Sequence, residues 1–115
     1  MSYIDGFVAA VKTADKETYR AHCRMMGAVF KEYGALEVID TWGDDVPEGK
    51  LTSFPMAVKR EDGEAVCLGW ISWPSKAVRD EAWQKVMADP RLQSTAPPFD
   101  GKRMIYGGFE MISKV

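Results

Sequence analysis

The sequence predicts an α+β fold in which four strands and two helices follow one another as βαββαβ. Three observations carry that prediction. Segments with apolar residues at alternate positions give way twice to segments with three-and-four spacing, and each time the alternation returns. Only two stretches are long and amphipathic enough for helices that could cover a sheet. The chain also begins and ends on similar strands, "IDGF" at 4–7 and "YGGF" at 106–109. Two βαβ halves wound into one four-stranded antiparallel sheet, with both helices on one face, make the ferredoxin-like plan. Residues 1–115 form a single domain on this reading.

"YIDGFVAAVK", residues 3–12, is rich in β-formers and gives the first strand. Ile4, Gly6, Val8 and Ala10 share one purely apolar face, which is expected to lie under the helices. Tyr3, Asp5, Phe7, Ala9 and Val11 share the other, where polar groups among the bulk suit a lined cavity. Tyr19, His22/Cys23, Met26, Val29/Phe30 and Tyr33 then recur at helical spacing. Thr13 or Asp15 is expected to accept the first amide hydrogen bonds, Glu17 places negative charge in the first turn, and Gly34 can take the left-handed conformation that ends the helix.

"ALEVIDTW", 35–42, is the second strand, and 43–53 a polar loop. Residues 54–59 fit a short helical turn or a short strand equally well. An Asp-Gly turn in "EDGE" opens the third strand, 65–73. Ser75 caps a second helix that runs to about Asp89, with Val78, Ala82, Val86 and Trp83 as its stripe; Pro90 is expected to stop it. After an irregular stretch, Asp100-Gly101 turns the chain into the last strand, 103–113.

Two helices cover one face of such a sheet. The other is expected to carry Tyr3, Phe7, Trp42 and Tyr106, too much aromatic surface to leave in water. A second copy of the same sheet is the simplest cover, so the plan implies a homodimer that closes into an α+β barrel.

Composition bounds the function. A net charge of −2 lacks the basic excess of a nucleic-acid surface, although "GKR" at 101–103 is locally basic. Two distant cysteines and a single histidine offer neither a disulfide framework nor metal-ligand spacing, and no cofactor motif is present. The amino terminus has no basic flank or cleavage site, and no apolar run is long enough to span a membrane. A cytoplasmic protein with reduced thiols, no metal, no cofactor, no nucleic acid and no membrane partner is the expectation.

"YIDGFV", "WGDDVPEGK", "WPSKAVRDEAW", "MADPR" and above all "PFDGKRMIYGGFE" resemble the YbaA-like family of bacterial proteins, a domain of unknown function, over nearly the whole chain. The resemblance implies the dimeric α+β barrel superfamily and supplies no activity. An association of some members with signal-recognition-particle RNA finds no support in this composition. The superfamily is similar in architecture to cofactor-independent monooxygenases, small dehydratases and isomerases, and stress-response barrels, but a shared fold does not transfer chemistry.

Gly107 and Gly108 fall inside a strand, so they permit close packing or a bulge and do not form a phosphate loop. Alternation sets Met104, Tyr106, Gly108 and Glu110 on the barrel side and Ile105, Gly107, Phe109 and Met111 under the helices. Asp5, Tyr106 and Glu110 are therefore the catalytic candidates, as carboxylates that burial could tune for acid and base work beside a phenol. Tyr3 and Trp42 are candidate walls and Arg103 a candidate ligand contact. The competing reading pairs Asp5 and Glu110 with Arg103 or Lys102. His22 lies in mid-helix, outside the barrel, and Cys23 points about 100° away from it. The function expected is binding of a small, partly apolar molecule, with chemistry that needs no cofactor; the alternative is a non-catalytic protein-interaction module.

Overall fold

In a computed structural model describing residues 2–115, the four strands form one antiparallel sheet. They are β1 (Tyr3–Lys12), β2 (Glu37–Asp40), β3 (Glu64–Trp73) and β4 (Ile105–Glu110), in the order β2-β3-β1-β4. The long helices are α1 (Lys16–Glu32) and α3 (Lys76–Met87); α2 (Phe54–Ala57) and α4 (Pro90–Gln93) are single turns. This is the ferredoxin-like arrangement, the central strands being the first and third in sequence.

Local chemistry accounts for most boundaries. A 3-10 turn, Thr13–Asp15, leads into α1, and neither Thr13 nor Asp15 caps it through a side chain. Thr13 Oγ1 donates instead to the Gly63 carbonyl, tying the end of β1 to the turn before β3. Gly34, at φ +116°, ends α1 as expected. Residues 54–59 resolve in favour of the helical turn: Ser53 accepts from the Met56 amide, and Pro55 sits in the first turn. Ser75 caps α3 by accepting from the Val78 amide.

Pro90 follows the end of α3 but opens α4, because the Asp89 carboxylate accepts from the Arg91 amide and caps a new turn. β2 is shorter than the expected 35–42, and β4 shorter than 103–113.

The sheet divides the core in two. On the helix side, Val29, Phe30, Ile71, Trp73, Ala82 and Val86 form the main cluster, and Val11, Tyr19 and Cys67 a second. On the opposite side, Val8, Ala10 and Val66 are covered at one end of the sheet by Val58, just after α2. The register decides which face is which. Tyr3, Asp5 and Phe7 stand opposite Trp73, Ile71 and Gly69 of β3, and opposite Glu110, Gly108 and Tyr106 of β4. Trp73 and Ile71 belong to the cluster under α1 and α3. The mixed face of β1 therefore lies under the helices, and Ile4, Gly6 and Val8 face away from them, the reverse of the sequence expectation.

Candidate functional site

A cavity of about 680 Å³ lies between the helix side of the sheet and α1, α3 and the 99–104 segment. Phe7 on β1 and Ile71 on β3 contribute to its floor, and Met26 and Phe30 of α1 to one wall. Trp83 and Met87 come from α3, while Met104 and the exposed Tyr106 stand on the β4 side. Phe7 occupies its place because Gly69 leaves the space: a Cβ at Gly69 would clash with the Cζ edge of the Phe7 ring. Gly108 does the same for Tyr3 and Arg79, which crowd the position a Cβ would take. Of the glycine pair in the terminal strand, Gly108 thus serves close packing.

Asp5 lines this cavity as a saturated group. It is buried and accepts from Trp73 Nε1 at 2.9 Å, Trp83 Nε1 at 2.8 Å and Arg79 Nη2 at 2.7 Å, with Arg79 Nε at 3.1 Å from both oxygens. Arg79 also reaches Asp80 at 3.0 Å and lies over the Tyr3 ring, 5.2 Å from its centroid. The Asp5 carboxylate beside it raises the Arg79 pKa further, burial opposing and Asp80 adding. Both Asp5 oxygens are occupied by donors. The carboxylate fixes where β1, β3 and α3 meet.

The other polar corner involves Tyr19, His22, Cys23 and Asp40. Burial pushes the Tyr19 phenol well above its usual pKa and the Cys23 thiol up to about 12, so both stay neutral. Burial also raises Asp40, against the effect of a hydrogen bond with the Cys23 thiol. Among the described residues, Asp40 has no ion pair and receives no N–H donor. Burial lowers the His22 pKa, and its buried Nδ1 has no hydrogen-bonding partner among the described residues.

A second cavity, also about 680 Å³, runs between α1 and the edge of β2. Lys16, Arg20, Arg24 and Lys31 line it, and Lys16 Nζ lies 5.4 Å from the Trp42 ring centroid. Tyr19, Cys23, Val38 and Asp40 border both spaces.

The residues singled out from sequence are not gathered at one place. Asp5, Tyr106 and Glu110 do share a face with Tyr3, but it is the helix face. Tyr106 is 78% exposed beside the cavity, and Glu110 is exposed at the end of β4. Trp42 borders the α1–β2 groove. Arg103 grips Glu64 with both Nη atoms, at 2.8 and 2.7 Å, and Asp100 at 3.2 Å. Asp5 pairs with Arg79, where the competing reading expected Arg103 or Lys102. His22, set outside the expected chamber, lines the cavity. Sequence reasoning missed Arg79, Trp83 and Asp40. The available signals were the four-residue spacing of Arg79 and Trp83 and the shared parity of Asp40 with Val38.

Fold and cavity together define a ferredoxin-like α+β domain with an apolar chamber between sheet and helices. The chain belongs to the DUF1428 family of proteins of unknown function, whose profile matches residues 2–101. The uncharacterized protein YbaA of Escherichia coli K12 is 54% identical over 114 residues, covering 97% of both chains, and YbaA of Shigella flexneri matches equally. Among solved structures, a variant of SnoaB, a cofactor-independent oxygenase from Streptomyces nogalater, aligns with a TM-score of 0.54 at 14% identity. That alignment covers 99% of this chain and 96% of SnoaB. An uncharacterized NIPSNAP-like domain protein from Burkholderia xenovorans gives 0.58 at 12% identity, covering 97% and 86%. These structural likenesses concern the fold. No helix among the described residues is long and apolar enough to cross a membrane.

Proposed function

We propose that the protein is a cytoplasmic homodimer that binds a small, largely apolar molecule between its sheet and helices, with any chemistry performed there needing no cofactor. The observation that carries this reading is the cavity itself: aromatic and aliphatic walls with a polar corner that the protein's own groups leave open. Such a mixture suits ligand binding, because apolar walls supply affinity and a few polar groups supply orientation. SnoaB, described as a cofactor-independent oxygenase, supports the reading only by showing that this fold accommodates such chemistry.

Pairing is supported by the helix-free face. Leu68, Ile105 and Phe109 are 40%, 43% and 60% exposed there, next to the half-buried Ile39 and Trp70. The proposed chamber is the cavity on the helix side of the sheet, opposite to the side that the sequence suggested.

The neutral dye N-phenylnaphthylamine tests the cavity. Its fluorescence should rise saturably with the wild-type protein, and Met104→Trp, which fills the β4 side, should weaken binding about tenfold at an unchanged unfolding midpoint. No saturable signal, or equal binding by the variant, would overturn the reading.

A further inference from the structure

We propose that this cavity takes an organic cation, an amine on an aromatic or aliphatic body, with its ammonium group on Asp40. The inference rests on the cavity reading above and names the ligand class.

Four residues that line the cavity are ordinarily charged: Asp5, Asp40, Asp80 and Arg79. Arg79 serves Asp5 at 2.7 Å and Asp80 at 3.0 Å, and Lys76 reaches Asp80 at 3.2 Å. Those charges are matched within the protein. Asp40 is not. It is half-buried, and among the described residues no cation forms an ion pair with it and no N–H donates to it. On its other side it borders the groove that carries Lys16, Arg20 and Arg24, none of which pairs with it.

A carboxylate withdrawn from water is costly unless a cation or donor meets it. The neighbouring thiol is a weak donor and answers only part of that need. His22 supplies no competing positive charge, because burial favours its neutral form.

The walls point to the same ligand. Phe7, Tyr19, Phe30, Trp83, Phe99 and Tyr106 line the space, and the faces of aromatic rings attract cations. A neutral ligand of the same shape would gain the apolar contacts but leave Asp40 without a cationic partner. An anion would meet the Asp40 carboxylate, while Arg79, the cation lining the cavity, is engaged by Asp5 and Asp80. The order expected is therefore amine, then alcohol, then carboxylate.

Tryptamine, tryptophol and indoleacetate share one aromatic body and differ in charge, which makes them suitable probes. Calorimetry on the full chain should show tryptamine binding about tenfold more tightly than tryptophol, with indoleacetate weakest. Asp40→Asn should abolish the difference between tryptamine and tryptophol. Should that variant fail to fold, carboxyl-carbon NMR of the wild type replaces it: tryptamine, and not tryptophol, should shift the Asp40 signal. Equal affinity for tryptamine and tryptophol, a preference that survives Asp40→Asn, or an unmoved Asp40 signal would overturn the inference and leave the cavity reading intact. Absence of tryptamine binding while the neutral dye still binds would do the same. Failure of all the indoles and of the dye would remove both.

Discussion

Asp5 shows how one residue's type can be readable while its role is not. Its position on the mixed face of β1 follows from alternation alone. Its partners do not, because Trp73, Arg79 and Trp83 lie 68 to 78 residues away along the chain. A carboxylate that looks available for proton transfer in sequence is, in the folded chain, the acceptor that joins two strands and a helix. Removing it strands the Arg79 guanidinium and two indole N–H groups. Asp5→Ala should therefore cost about 3–5 kcal/mol in urea unfolding, whereas Trp83→Phe, which deletes one donor, should cost about 1 kcal/mol.

Glu64 behaves similarly at the other end of β3. The Arg103 guanidinium, helped by the Glu61 amide and opposed by burial, holds its carboxyl down to about 2, against an ordinary 4.5. A carboxyl whose folded pKa is depressed contributes stability that is fully present above the unfolded value. That contribution should disappear as pH falls from about 4.5 towards about 2, and Glu64→Gln should flatten that part of the stability–pH profile.

At the scale of elements, periodicity located all four strands and both long helices, since each buries a face whose spacing is written in the sequence. Boundaries were less legible where tertiary contacts decide them. Pro90 carries the stop signal expected after α3, yet Asp89 turns it into the first residue of α4. Met104 and the residues after Glu110 continue the pattern of β4 without belonging to it. The packing of β1 on β3 depends on a missing side chain, which periodicity cannot register. Gly69→Ala would drive a methyl group into the Phe7 ring. It should lower stability by about 1–3 kcal/mol in denaturant unfolding, and Phe7→Leu in the same chain should recover part of the loss.

For the whole molecule, alternation separates the two faces of a strand but does not say which one the helices choose. The apolar face of β1 looked like the buried one. The mixed face is the one actually covered, because α3 brings Arg79 and Trp83 to satisfy Asp5 and Gly108 makes room for Tyr3. The candidate chamber lies on that covered face, so His22 and Asp40 line it and Arg103 does not. The face left without helices keeps Leu68, Ile105 and Phe109 in water, so a charge placed on it should break a pair of copies. Phe109→Glu should convert the proposed dimer to monomers in light scattering with the helical circular dichroism retained. A wild-type chain that scatters as a monomer would remove the pairing.

The chamber and the helix-free surface occupy opposite sides of a single sheet. In a pair joined back to back, the two binding spaces would open outward, each built from one chain, with both pleated layers between them. Filling one has no direct route to the other, so two equivalents of ligand should load independently, with a Hill coefficient of about one. A dissociated chain should bind as tightly as a paired one.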